Sequence, residues 1–295
     1  MMRRSLRPQA EGYMLLLPAL VVYLIFAFYP MIDVIRQSFS EWNGLDAQSR
    51  FVGWNNYRVV LTQDPVFWGA LVNTVLWTLA AITLPNLIAF GLALALNQSL
   101  PARGTLRAIF YLPVIIASIA VATIWRWMYD PFFGLFNSLL TEWGMSGWIQ
   151  DWLGNRKLAL WSVFVAHLWS SVGFSMVLFL AGLQGVSQTL IEAARIDGAG
   201  RYAVFRHVTL PALGPTITIV LVLSLINSLK AFDIVYGMTG GGPAQSTQML
   251  AMWAYTQAMQ LGSFGRGAAV SVILLIITLV IVIPYLRWTL RRSTT

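Results

Sequence analysis

The residues able to do chemistry in this chain are few, and most sit inside apolar runs. His167, Ser170, Ser171 and Ser175 recur at i, i+3, i+4 and i+8, one face of a helix. Ser224, Asn227, Lys230 and Asp233 punctuate a later run. Polar groups at membrane depth must face protein or a water-filled cavity. Two readings are therefore open for both sets: hydrogen-bonded packing between helices, or the lining of a path for a polar solute. Lys230 and Asp233, at i, i+3 on a continuous helix, would neutralise one another as a structural ion pair, or would join that path beside Asn227. The absence of cysteine rules out disulfides and thiolate metal sites, and two histidines leave little room for a histidine cluster. No metal-ligand spacing, nucleophile elbow or pair of active-site carboxylates appears, so no catalytic or metal-binding residue is assigned and no cofactor is expected in this chain. Gly198 to Ala203 fits G-x-G-x-x-A but follows a helical pattern rather than a strand, and no acid lies about 20 residues on. Dinucleotide binding is rejected. Thr239-Gly240-Gly241-Gly242-Pro243 lacks the G-K-[ST] of a phosphate loop; its glycines suit a tight re-entrant or docking loop.

The elements that must hold these residues are membrane helices. Hydrophobic residues make up 58% of the 295 and charged residues 10%, against roughly 25% charged in soluble chains. Six runs reach the ~20 residues needed to cross about 30 Å of hydrocarbon: 13–35, 71–96, 108–127, 158–183, 215–234 and 268–288. Span two carries Pro85-Asn86 as an interruption, and residues 249–262 suggest a short additional helix. The expected class is an all-α membrane protein of six transmembrane helices, with a segment 1–12 before them and a tail 289–295 after them.

An even number of spans puts both termini on one side. On that side lie eleven arginines (3, 4, 7, 103, 107, 195, 201, 206, 287, 291 and 292) and three acids, against seven cations and seven acids on the other. The excess of positive charge marks the cytoplasmic face, so both termini are expected there. Basic residues that flank spans, rather than forming a stripe with stacking aromatics, argue against nucleic acid. The chain is placed in a lipid bilayer as a multi-pass protein.

Between spans four and five lies a polar, basic stretch, 189–215. Thr189 to Glu192 reads as a capping box, starting a helix near Leu190. Gly198 after Asp197 suits a left-handed stop, and a second short helix follows from Arg201 to about Val208, ended by Pro211 and Pro215. Helices this short are marginal alone, so the stretch needs something to pack against. Ala193 and Ala194 allow close approach, and Glu192 and Arg195 are neighbours at i, i+3.

Glu192-Ala193-Ala194, Asp197-Gly198-Ala199, Phe205, Pro211 and Pro215 resemble the EAA motif of binding-protein-dependent ABC importer permeases, with Val208 where isoleucine is usual. Tyr29-Pro30, the F-x-G-x-x-N-Y element at 51–57 and the T-G-G-G-P segment are similar to the carbohydrate-uptake branch of the maltose and glycerol-phosphate type. The missing glycine-containing C-terminal ending of the second permease type assigns the chain to the first. The resemblance implies that 189–215 is the coupling helix docked on a cytoplasmic ATPase, with Glu192, Ala193, Ala194, Arg195, Asp197, Gly198, Ala199, Phe205 and Pro211 carrying that contact. It implies as partners a homologous second permease subunit, two ATP-binding subunits that hold ATP and Mg, and an external solute-binding protein, in a bacterial or archaeal cell (inner) membrane. ATP hydrolysis would then belong to the partner and not to this chain. The same architecture with an amino acid or polyamine as cargo is the nearest alternative. A secondary transporter using Lys230 and Asp233 as an ion relay is a more distant one.

Overall fold

The computed structural model describes residues 7–46 and 48–293, with side chains described over 15–46 and 48–287. Residues 1–6 of the expected N-terminal segment, with Arg3 and Arg4, and residues 294–295 of the expected tail lie outside the described residues. The chain divides into two units, one formed by residues up to 64 with 254–273, the other by 65–253 with 274 onward.

In the first unit, α1 (Arg7–Tyr23) and α2 (Tyr29–Gln37) are joined by a π turn, Leu24–Phe28, into one membrane-length rod. Every described side chain from Leu15 to Ile32 on it is exposed. Strands β1 (Ser40–Glu41) and β2 (Arg50–Phe51) pair antiparallel, Ser40 opposite Phe51 and Glu41 opposite Arg50. The Arg50–Glu41 ion pair, at 2.8 Å, is largely solvent-exposed and contributes little, about 0–1 kcal/mol. Helix α3 (Asn55–Thr62) supplies the stronger tie. The buried Asn56 carboxamide donates to the carbonyls of Ser38 and Ser40, each at 2.9 Å, and Tyr57 shares a hydrogen bond of 2.7 Å with Ser38 Oγ. Within the F-x-G-x-x-N-Y element Phe51 and Trp54 stay well exposed, at 76% and 71%, while Asn56 and Tyr57 are buried. The element is therefore more than the interfacial aromatic belt its composition suggests: Asn56 and Tyr57 fasten the chain.

In the second unit, α4 (Pro65–Leu96) and α8 (Ala159–Gln184) pack along their lengths. The shared face is small: Ala81, Ala89, Ala93 and Ala166 are buried, while Leu76, Leu79, Leu84, Leu87 and Ile88 point outward. Small side chains let backbones approach in a membrane, where burying apolar surface gives no advantage over lipid. One end of the packing is filled by Trp77, Val163, Phe164, Met249 and Met252, the other by Met176, Phe179, Leu213 and Val220. Contrary to the expected interruption, α4 runs unbroken through Pro85; proline is tolerated where neighbouring helices take up the freed carbonyl.

Two expected spans are broken. The third is α5 (Arg103–Tyr111), a 3-10 turn at Leu112–Ile115 holding Pro113, and then α6 (Ser118–Met128), turned by 98° at the extended Ile116 and Ala117. After α6 comes α7 (Leu135–Glu142). The fifth begins as α10 (Arg201–Val204), a π turn at Phe205–Thr209 and α11 (Leu210–Ala212), and bends by 61° into α12 (Gly214–Leu229). Helix α9 (Gln188–Ile196) precedes it, and α13 (Asp233–Thr239), α14 (Leu250–Tyr255) with its π turn Thr256–Gln260, and α15 (Phe264–Ser293) complete the chain. The described helices thus include four straight membrane-length rods, or up to six crossings if each bent pair counts as one. The expected helix within 249–262 is α14 and its π turn.

The glycine-rich turn after α13 docks as its composition suggested, with Gly240 and Gly241 at φ of +59° and +90°. Asn73 on α4 donates to the carbonyls of Ser246 and Gln248, and Thr74 accepts from Leu250 N, all at 2.9 Å.

Gly173 on α8 lies where a β-carbon would press on the Phe110 carbonyl and come within 2.9 Å of Tyr111 Cα. Gly173→Val should therefore lower stability by about 1–3 kcal/mol, the usual effect of overpacking, read as a drop in melting temperature in detergent. An unchanged melting temperature would mean that α5 and α8 do not meet there.

Candidate functional site

Two neighbourhoods gather the residues singled out in the sequence. The first is α9 to α11. Helix α9 is capped two residues earlier than the T-x-x-E pattern suggests: the N-cap is Ser187, extended at φ −60° and ψ 121°, and Thr189 already lies in the first turn. Ser187 and Thr189 share their hydroxyls at 2.5 Å, and the expected capping box is not made. The stop at Gly198 is as the sequence indicates. Gly198 has φ +84°, its N–H reaches the Arg195 carbonyl at 3.0 Å, and the Ala199 N–H reaches Ala194 at 2.9 Å. That pair of bonds is a Schellman closure, which needs a left-handed residue and hence favours glycine. The second helix extends past Val208 to Ala212, Pro211 lying inside its last turn instead of ending it. The intervening π turn is a known device for absorbing an irregularity in a helix.

The pair has an anchored side and a presented side. Ile191 packs on the cluster of Leu183, Val186 and Leu213, and the Phe205 ring lies 6.2 Å from that of Phe90. Ala194 and Ala199 are half-buried. Glu192, Ala193, Arg195, Asp197, Gly198 and Pro211 are exposed. So are Ile196 and Tyr202, at 86% and 74%; sequence spacing did not single these two out, although an isoleucine and a tyrosine inside a charged stretch are the signal for them. Among the described residues Glu192 forms no ion pair with Arg195. The stretch offers open charge and open apolar surface side by side.

The second neighbourhood is a cavity of about 210 Å³ in the second unit, lined by Ala81 and Pro85 of α4, Val114 of the 3-10 turn after α5, His167, Ser171, Phe174 and Ser175 of α8, and Ser224 and Asn227 of α12. The structure thus brings together four of the seven sequence candidates: His167, Ser171, Ser175 and Asn227. Ser170 turns back to the His167 carbonyl at 3.0 Å and lines no part of it. Lys230 and Asp233 are exposed and form no ion pair, a correction to the expected bridge. The i, i+3 argument assumed one helix, whereas Lys230 is the C-cap of α12 and Asp233 opens α13 beyond a break at Ala231 and Phe232.

Polar and apolar side chains share the cavity wall, and Ser171 Oγ donates to the Leu168 carbonyl at 3.3 Å. Asn86 donates to Ser224 Oγ at 3.0 Å, and Ser228 Oγ donates to Thr78 Oγ1 at 3.2 Å. The His167 ring lies 5.1 Å from the Trp77 ring and 6.0 Å from Phe164. The Trp77 Nε1 proton is buried with no partner. Thr78 and Asn86, i and i+8 on α4, do not line the cavity but tie α4 to α12 beside it, and sequence reasoning did not assign them that part; polar side chains within an apolar run were their signal.

Comparison with known proteins places this geometry. Residues 87–291 match the profile of the binding-protein-dependent transport system inner membrane component. A trehalose/maltose transport system permease protein of Thermococcus litoralis is 36% identical over 94% of this chain and 92% of its own length. A probable starch degradation products transport system permease protein of Thermoanaerobacterium thermosulfurigenes is 30% identical over 95% of this chain and 94% of its own. The crystal structure of a bacterial ABC transporter involved in the import of the acidic polysaccharide alginate has a chain of the same fold, with TM-score 0.84 over 99% of both chains at 24% identity. A second structure of an alginate ABC transporter, in complex with an alginate pentasaccharide-bound periplasmic protein, gives TM-score 0.84 at 23% identity over 99% of this chain and 98% of that one. With the matched segment running from mid-α4 into α15, and so taking in the α9–α11 pair and the α8 and α12 walls of the cavity, this chain belongs to the family of binding-protein-dependent transport system inner membrane components.

Proposed function

We propose that this chain is the transmembrane subunit of an ABC sugar importer, forming half of the translocation path and coupling ATP hydrolysis by a partner to uptake. In this reading each bent helix pair counts as one crossing, giving six spans with both termini cytoplasmic, in the cell (inner) membrane of a bacterium or archaeon. A homologous permease completes the path, two ATP-binding subunits hold ATP and Mg, and an external solute-binding protein delivers the cargo. The sugar assignment draws on the relatives, whose names specify trehalose/maltose and starch degradation products.

The observation that carries the reading is one of continuity. The presented pair α9 to α11 is joined to the cavity-lining α8 by three residues, 185–187, and to the cavity-lining α12 by Leu213 alone. Val186 and Leu213 in those joints are buried, at 6% and 0%, so a displacement of the pair is passed to the helices instead of being absorbed by a slack linker. ATP-driven closure of the ATPase dimer would draw two such pairs together and rock the permeases between inward- and outward-open states. Glu192, unpaired here, would meet a basic residue of the ATPase, with Ile196 and Tyr202 supplying apolar contact. The φ of +84° at Gly198 fixes the angle between the short helices.

At about 210 Å³ the cavity falls below the roughly 300–1,000 Å³ of a complete small-molecule site, as expected if a partner subunit supplies the other wall. His167, Ser171, Ser175, Ser224 and Asn227 would offer donors and acceptors to sugar hydroxyls, with Phe174 as the apolar face.

Glu192→Lys should abolish ATP-driven uptake and co-purification with the ATPase; intact uptake and intact co-purification together would remove the docking assignment. Asn227→Leu, combined with His167→Leu, should lower sugar uptake by about tenfold, the effect of a lost hydrogen bond or two of about 1 kcal/mol each, while ATPase co-purification persists. Equal loss of both readouts would point to misfolding, and unchanged uptake would exclude the cavity from the path.

A further inference from the structure

The segment 131–149, between α6 and α8, has the wrong surface for water. Glu142 is its one charged residue in PFFGLFNSLLTEWGMSGWI. Phe132, Phe133, Trp143 and Trp148 are exposed at 91%, 64%, 69% and 68%, and Leu135, Met145 and Ile149 add smaller areas. An apolar surface of this extent marks an interaction site on a folded protein.

The opposite side of the same segment is rigidly held. The Tyr129 and Phe136 rings stack at 5.0 Å, and Phe136 also stacks on Trp125 at 5.8 Å. Buried Asn137 donates to the carbonyls of Gln150 at 3.0 Å and Pro131 at 3.3 Å, and its Oδ1 accepts from Trp152 Nε1 at 2.9 Å. The segment that carries the exposed rings is therefore held, and among the described residues nothing shelters them.

The backbone of the segment folds back on itself. Asp130 Oδ1 takes the N–H groups of Phe132 and Phe133, and Gln150 N–H goes to Asn137 Oδ1. Helix α7 closes at Gly144, φ +70°, with Gly144 N–H on Thr141 and Met145 N–H on Leu140, and Trp148 and Ile149 bond back to Met145 and Ser146. These bonds hold the segment compact between the two spans, and its composition and position name the occupant. Tryptophan at the ends of spans favours the headgroup boundary, and phenylalanine and leucine form the buried face of segments that lie in it. The segment is bounded by two helices of membrane length or bent-span character, which set its depth. We propose that 131–149 is a monotopic membrane anchor, lying in the headgroup–acyl boundary with Phe132, Phe133, Trp143 and Trp148 turned into the lipid. It pins the junction between the bent third span and α8, whatever solute the transporter carries.

Because the chain has no cysteine, single replacements report cleanly. Spin labels at Phe132→Cys, Trp143→Cys and Trp148→Cys, in the assembled transporter in nanodiscs, should collide with oxygen several times more often than with a water-soluble relaxant. Brominated lipids should quench tryptophan emission, and the quenchable fraction should fall in Trp143→Phe combined with Trp148→Phe. Preferential collision with the water-soluble reagent would overturn the proposal. So would shielding from both reagents, which would assign the face to a partner subunit, and so would water exposure that vanishes when the solute-binding protein is added. None of these outcomes depends on which sugar is transported, so failure here leaves the importer reading standing.

Discussion

Three asparagines share one arrangement, and the irregular parts of the molecule depend on it. Asn56, Asn73 and Asn137 each direct a carboxamide nitrogen at two backbone carbonyls of a non-helical segment: Ser38 and Ser40, Ser246 and Gln248, Pro131 and Gln150. Hydrocarbon offers nothing to a peptide group, and an unsatisfied one costs several kcal/mol there. A side-chain amide on a well-packed helix can accommodate chain that has left helical geometry, one residue serving two orphaned acceptors. The hairpin, the glycine-rich turn and the interfacial loop are each tied this way.

The regular parts rest on size instead of hydrogen bonding. Alanines and Gly173 on the facing sides of α4, α8 and α5 bring backbones close, and the leucines and isoleucines face outward. Dispersion over a long, close contact replaces the hydrophobic effect, which has no preference between lipid and protein interior. The cavity opens where this packing gives way to serine, histidine and asparagine on α8 and α12.

Length and apolarity made the membrane rods legible, because the ~30 Å requirement acts on composition alone. The stop at Gly198 was legible for a similar reason: a left-handed residue is a local demand that glycine meets. What escaped the sequence was continuity. Pro85 interrupts nothing, while Ile116–Ala117 and Lys230–Phe232, with no glycine and no proline at the break itself, end helices. Those breaks are set by what packs around them, and period-counting across one of them produced the unformed Lys230–Asp233 pair. Of the polar stripe on α8, three of four members reach the cavity; Ser170, one position from Ser171, is turned away by a 100° step. Thr78 and Asn86 were missed because a polar residue bonding a neighbouring helix and one bonding its own look alike until the partner helix is placed.

The first unit joins two distant stretches of the chain: Gln257 bonds Asp64 across 193 residues, Phe264 N–H bonds the Trp42 carbonyl, and Gly265 sits where any β-carbon would strike the Ser40 carbonyl. At translation rates of 5–20 residues per second, the hairpin waits about 10 to 40 s after its own synthesis for the ribosome to deliver its complement. During that interval the newborn hairpin is an unfinished half, and biogenesis must shield it from proteases until the closing helix arrives.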